Sequence, residues 1–117
     1  MIVYAACVAD QHKFDTICHP GIARAFRDGD IMVTTSSTHS IFEAYNEVLD
    51  AFRDRTDLEA LVLLHEDTEI LSRSFSSIVR DGVASPGIAV LGVVGGTGAR
   101  GIAWWEGNGV GRVEETV

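Results

Sequence analysis

Lysine occurs once in this chain, at Lys13, and cysteine twice, at Cys7 and Cys18. Two thiols are too few for a disulfide framework, and they lack the C-x-x-C spacing of redox or zinc sites, so both read as small buried hydrophobes. Positive charge is scarce: nine Lys and Arg stand against 17 Asp and Glu, a net charge of −8, and the nine are scattered rather than gathered in a stripe. Such a surface repels a phosphate backbone, which excludes polymeric nucleic acid as a partner. A small phosphorylated ligand stays open, because a bound divalent cation can reverse the local field of an acidic site. No apolar run approaches the roughly 20 residues of a membrane span. The start, MIVYAACVADQHK, lacks the basic segment and small-residue cleavage site of a secretory signal. A cytoplasmic protein without a membrane span is expected.

What is present is enough for one core. The 117 residues are 46% hydrophobic, which suits one domain over 1–117 and leaves no room for two. Ile2 to Val8 (IVYAACV) and Asp30 to Thr35 (DIMVTT) read as short strands, with a helix opened by Pro20 in PGIARAFRD between them. The clearest helix is SIFEAYNEVLDAFRD. Ile41, Tyr45, Val48 and Phe52 recur at helical spacing, Phe42 and Leu49 widen the stripe, and Ser40 with Glu43 forms a capping box. Ala60 to Glu66 (ALVLLHE) has the continuous apolar character of a central parallel strand covered on both faces. A capped helix from Ser72 or Ser74 to Asp81, ending near Gly82, and a buried strand from Gly87 to Gly96 complete the order β-α-β-α-β-α-β. This predicts an α/β fold, a mostly parallel sheet between two helical layers. Ligands of such sheets usually lie beyond the carboxyl ends of the strands.

The last quarter has another character. Eight glycines fall between Gly92 and Gly111, around AWWE, and no helical period is found, so the Gly/Trp-rich segment from about residue 95 to 117 reads as loops with short strands. GTGARG matches the spacing of a dinucleotide fingerprint, but that fingerprint needs a helix to open at once, and IAWWEGNG cannot form one.

HEDTE, residues 65–69, sits at the predicted carboxyl end of a buried strand. Acidic residues in a turn are most often solvated punctuation. Here His65, Glu66, Asp67 and Glu69 crowd beside an apolar core, an arrangement that is costly unless a cation neutralises it. Magnesium or manganese fits, since either takes one or two carboxylates and completes its shell with water and phosphate oxygens.

The ordered motifs YNEVLDAFRDRTDLEALVLLHEDTEI, IAVLGVVGG and WWEGNGVGRV resemble the glycosyltransferase-like domain of StrF type, within the family-two-like glycosyltransferases of GT-A fold. The resemblance spans roughly residues 40 to 113. It implies a nucleotide-diphosphosugar fold in which an acidic motif after a central strand carries the metal. His65-Glu66-Asp67 then matches the DxD motif, with Asp67 and His65 as metal ligands and Mn2+ or Mg2+ as cofactor. His65 stands where many relatives carry the first Asp. An imidazole can ligate manganese but brings no negative charge. Asn46 follows Tyr45 as in the family's YN helix motif, which faces the nucleotide; read from the helix alone it is an exposed amide. Val8 and Asp10, at the end of the first strand, complete the implied nucleotide-binding set with Asn46, His65, Glu66 and Asp67. The implied ligand is a nucleotide-diphosphosugar, in the first place a UDP-sugar.

The resemblance further implies a second half beyond the Trp pair, with the acceptor site and the base, so the chain corresponds to a truncated, nucleotide-binding half. Glu106 is the one substitute base near the tryptophans. Trp104 and Trp105 point to opposite faces if they lie on a strand. Either they leave an apolar surface for self-association into a homo-oligomer, or one caps the core and the other is exposed. Three functions are then in play: a metal-dependent glycosyltransferase, a non-catalytic nucleotide-binding module of the same fold, and a phospho-acceptor domain of receiver type. The last needs acids clustered after the first strand and a lysine late in the sheet. Only Cys7 and Asp10 stand at that first position, and the sole lysine is Lys13.

Overall fold

The computed structural model describes residues 1–36, 40–88, 96–97 and 108–109. Three strands, β1 (Ile2–Cys7), β2 (Ile31–Thr35) and β3 (Ala60–His65), form a parallel sheet in the order β2-β1-β3. Cys7 lies level with both Thr35 and His65, so the three strands end together. β1 is the central strand among those described, and Ile2 through Ala6 are fully buried. Among the described strands β3 pairs only with β1, and its Leu63 is 40% exposed. The strand with two paired neighbours is the one whose side chains are covered on both faces.

Alternation along β1 assigns each face its cover. Ile2, Tyr4 and Ala6 pack with Ala60 and Leu64 of β3 against Phe14, Cys18, Ile22 and Ala25. Phe75, Val79 and Val83 close the same core from a second helix. The Tyr4 ring lies between Phe26 and Phe75, with centroids 6.1 and 6.3 Å away. The opposite face of β1 is covered by α3 (Ile41–Phe52), through buried Ala44 and Val48. The described fold is therefore α/β with helices on both faces of a small parallel sheet. Ser40 caps α3 by accepting from the Glu43 N–H at 3.1 Å, as its sequence predicts. The stripe is narrower than expected: Phe42 is 77% and Leu49 46% exposed. At 100° per residue Leu49 lies roughly 100° and Phe42 roughly 120° round the helix from the middle of the line through Ala44, Val48 and Phe52, past the edge of the contact with the sheet.

The first crossover starts earlier than Pro20. Helix α1 (Gln11–Lys13), a π-helical segment (Phe14–Cys18) and α2 (His19–Ala25) run on without a break. The His19 N–H reaches back to the Phe14 carbonyl, five residues away. A proline ring clashes with the carbonyl four residues before it, and the wider turn shifts the Thr16 carbonyl clear of Pro20. The fourth helix, α4 (Phe75–Ala84), passes through Gly82 instead of stopping there. Val83 extends the buried line of Phe75 and Val79, and that packing outweighs glycine's weak helix preference. Gly87, at φ 82°, takes the left-handed turn that follows.

Charged groups at the amino end of the sheet pair with one another. Asp30 Oδ1 accepts from the Ile2 N–H at 2.9 Å and from Arg80 at 3.1 Å, and Oδ2 accepts from the Arg27 N–H at 2.9 Å. Arg80 also donates to Ser76 and lies 3.2 Å from Glu59, which pairs with the Met1 amino group at 2.8 Å. In the last quarter, β4 (Gly96–Thr97) and β5 (Asn108–Gly109) form a short antiparallel pair, in keeping with short strands there. The expected strand from Gly87 to Gly96 lies almost wholly outside the described residues, as do Trp104, Trp105 and Glu106. Among the described residues no helix is long and apolar enough to cross a membrane.

Candidate functional site

The level ending of β1, β2 and β3 brings the loops after Cys7 and after His65 to one edge of the sheet. The Val8 N–H donates to the Thr35 carbonyl at 2.7 Å and carries the pairing of β1 and β2 one residue further. The chain then turns into α1, where the Asp10 carboxylate accepts from the Lys13 N–H at 3.2 Å as the helix cap. Beyond β3 the Thr68 N–H returns to the His65 carbonyl at 3.0 Å. This closes a turn with Glu66 and Asp67 at its two corners.

The two loops meet through Glu66. Its Oε2 accepts from the Ala9 and Asp10 N–H groups, each at 2.7 Å. Val8, Asp10 and Glu66 are thus brought together, and His65 and Asp67 flank Glu66 as exposed side chains on the same turn. Asn46 is not joined to them: it is exposed on α3 and makes no hydrogen bond with the strand-end residues. Its neighbour Tyr45 does reach the site, donating its hydroxyl to the Leu64 carbonyl at 2.7 Å. Burial raises the Tyr45 pKa, which keeps that donor protonated.

The acidic edge has an electrical signature beneath it. Cys18 is buried under the turn, and its thiol is pushed up to about 11, by burial first and then by the charges of Asp67 and Glu66. A thiol so placed stays neutral and is no nucleophile at physiological pH. Glu69 is balanced by Arg24 at 3.5 Å, while Asp67 makes no ion pair or hydrogen bond with any described residue. Among the described residues no group of three or more His, Cys, Asp and Glu side chains could hold a metal ion. The donor set therefore does not suit an ion caged by protein alone. The exposed side chains on the turn that could contact a largely hydrated divalent ion are Asp67 and His65.

The far side of the turn is anchored by residues that carried no evident chemistry in the sequence. Arg24 donates to the Ile70 carbonyl. A Cβ on Gly21 would lie 2.4 Å from the Ile70 backbone nitrogen, so only glycine allows α2 this close. The signal available was Gly21 inside a helical pattern, which often marks a close backbone approach. A separate apolar groove of about 250 Å³, lined by His19, Ile22, Ala23, Phe26 and Met32, flanks β2 and contains no carboxylate.

Compared with known proteins, the chain is similar to the streptomycin biosynthesis protein StrF of Streptomyces griseus, with 33% identity over 105 residues. The match covers 90% of this chain and 37% of StrF, so the chain spans a little over a third of its relative. No protein-family profile matches the sequence. No solved structure matches it either.

Proposed function

We propose that this chain is the nucleotide-binding portion of a glycosyltransferase of GT-A type, holding a nucleotide-diphosphosugar, in the first place a UDP-sugar, at the carboxyl ends of β1 and β3. The observation that carries the reading is the junction of Glu66 with Ala9 and Asp10. It brings an acidic turn and a helix-opening loop to one edge of a parallel sheet, where α/β proteins bind ligands. Similarity to a protein named for streptomycin biosynthesis supports a biosynthetic role.

Each residue then has a task. Asp67, exposed and without a cationic partner among the described residues, is the contact for a metal that the ligand brings, and His65 is the second donor on the same turn. Magnesium or manganese would supply positive charge to the leaving diphosphate. Without it, the carboxylates of Asp10, Glu66 and Asp67 repel that group. Val8 and Asp10 present the first loop to the nucleoside. Asn46, exposed on α3, can contribute only if the ligand extends over that helix. The alternative is a module that binds the nucleotide without transferring sugar, and the residues assigned here are those of binding. Glu106 remains the candidate base.

Thermal unfolding with UDP, with and without manganese, tests the reading. Saturation about 100-fold above Kd stabilises the native state by roughly 2.7 kcal/mol, so the midpoint should rise by several degrees with manganese and stay put with chelator. Equal shifts in both conditions would remove the metal bridge, and no shift in either would remove the nucleotide site.

A further inference from the structure

Glu66 stands in the middle of the acidic turn, half-buried where His65 and Asp67 on either side are exposed. One of its oxygens receives two consecutive backbone N–H groups from a loop more than fifty residues earlier, both at 2.7 Å. These are short, charge-assisted hydrogen bonds. One of the two amides belongs to Asp10, whose own carboxylate caps the helical run through Lys13. A continuous chain of bonds therefore leads from the turn after β3 to the start of α1. On the other side of the turn, Arg24 and the bare Cα of Gly21 hold Ile70. Asp67 lies between the two anchors.

We propose that Glu66 is a positioning residue, touching neither metal nor nucleotide, which fixes the first loop (Val8 to Asp10) relative to Asp67 so that one nucleoside diphosphate with its cation is held from both strand ends. The proposal rests on the nucleotide-binding reading and deepens it by separating the two carboxylates of the turn. Asp67 meets the ligand, and Glu66 builds the place where the ligand sits. What Glu66 must offer is an acceptor oxygen of the right reach. A glutamine carbonyl has one; an alanine does not. A metal ligand would differ, because the neutral amide loses the charge that magnesium or manganese binds.

The test compares Glu66→Ala and Glu66→Gln with the parent chain in calorimetric titration of UDP plus manganese and in amide hydrogen exchange at Ala9 and Asp10. Glu66→Ala should weaken binding by about tenfold or more, the loss expected when charge-assisted bonds go, and should unprotect both amides. Glu66→Gln should recover most of that binding and keep both amides protected. Binding as poor in the glutamine variant as in the alanine variant, with the amides still protected, would make Glu66 a metal ligand and overturn the proposal. Unchanged affinity in Glu66→Ala would overturn it as well. If the parent chain binds no UDP, the nucleotide reading fails, and exchange alone then decides. Protection lost in alanine and kept in glutamine upholds Glu66 as the anchor of the first loop, and equal exchange in all three refutes it. Should Glu66→Ala not fold, the parent and the glutamine variant still decide through affinity and exchange.

Discussion

The two ends of the sheet handle negative charge in opposite ways. At the amino end, Asp30 is buried with Arg80 and two backbone N–H groups on its oxygens, and Glu59 lies between Arg80 and the Met1 amino group. Hydrogen bonds from that amino group and from Arg80 hold the Glu59 carboxyl below its ordinary range. A carboxyl depressed in this way stabilises the fold above its unfolded pKa, and the stabilisation is lost as the pH falls through the folded value. At the carboxyl end, Glu66 takes only neutral amides, and Asp67 has no partner among the described residues. There the Cys18 thiol, raised first by its burial, is lifted further by the charges of Asp67 and Glu66. The contrast separates roles that composition merges. Paired acids at one end hold elements together, whereas at the other Glu66 is tied to a loop and Glu69 to Arg24, and Asp67 alone among the acids of the turn has no partner among the described residues.

The largest break in that contrast is Asp30→Ala. It takes the acceptor from Arg80, from the Ile2 N–H at the head of the central strand and from the Arg27 N–H. Arg80 is partly exposed and can find water, but the Ile2 amide sits in the core. Chemical denaturation should show a loss of about 3 kcal/mol or more. A loss under about 1 kcal/mol would mean that the amino-end network contributes little and that the two ends do not differ in kind. Tyr4, buried beside Asp30, sharpens the point, since burial and the Asp30 charge raise its pKa and its hydroxyl has no hydrogen-bond partner among the described residues.

A smaller effect should come from Gly21→Ala. The added methyl meets the backbone of Ile70, not a side chain that could swing aside, so α2 and the acidic turn must separate. Overpacking of this kind costs roughly 1–3 kcal/mol. Because the turn is what moves, UDP binding measured well below the unfolding temperature should weaken along with stability. A variant as stable as the parent and binding as well would show that the turn is not held from that side.

Much of this was legible in the residue pattern, and the failures have physical causes. Period and capping gave α3 because Ser40, Tyr45 and Val48 obey local rules. HEDTE stood out because hydrophobic β3 ends abruptly in charge. The helical run from Gln11 was missed because Pro20 looked like a beginning, whereas a π-helical turn lets the helix pass it. The length of α4 was missed because Gly82 looked like an end. Nor could spacing reveal that Glu66 and Asp67 differ. Two adjacent acids in a turn look alike until a loop from the other end of the chain brings its N–H groups to one of them.

Asp67→Asn should have the smallest effect on stability and a large one on binding. Asp67 is exposed and has no ion pair or hydrogen bond with any described residue, so the amide breaks no contact. It also removes one negative charge from an edge that carries Asp10, Glu66 and Glu69. The unfolding free energy should stay within about 0.5 kcal/mol of the parent, the range of ordinary surface changes. The amide keeps an acceptor oxygen but not the charge that draws a divalent ion, so the manganese-dependent part of the UDP stabilisation should disappear. Asp30→Ala should do the reverse, lowering stability while the fraction that remains folded binds as before. The pair of variants forms a crossed test, in which each end of the sheet fails in its own measurement and not in the other. If Asp67→Asn instead unfolds the protein, Asp67 is part of the framework as Asp30 is, and its assignment as the metal contact fails.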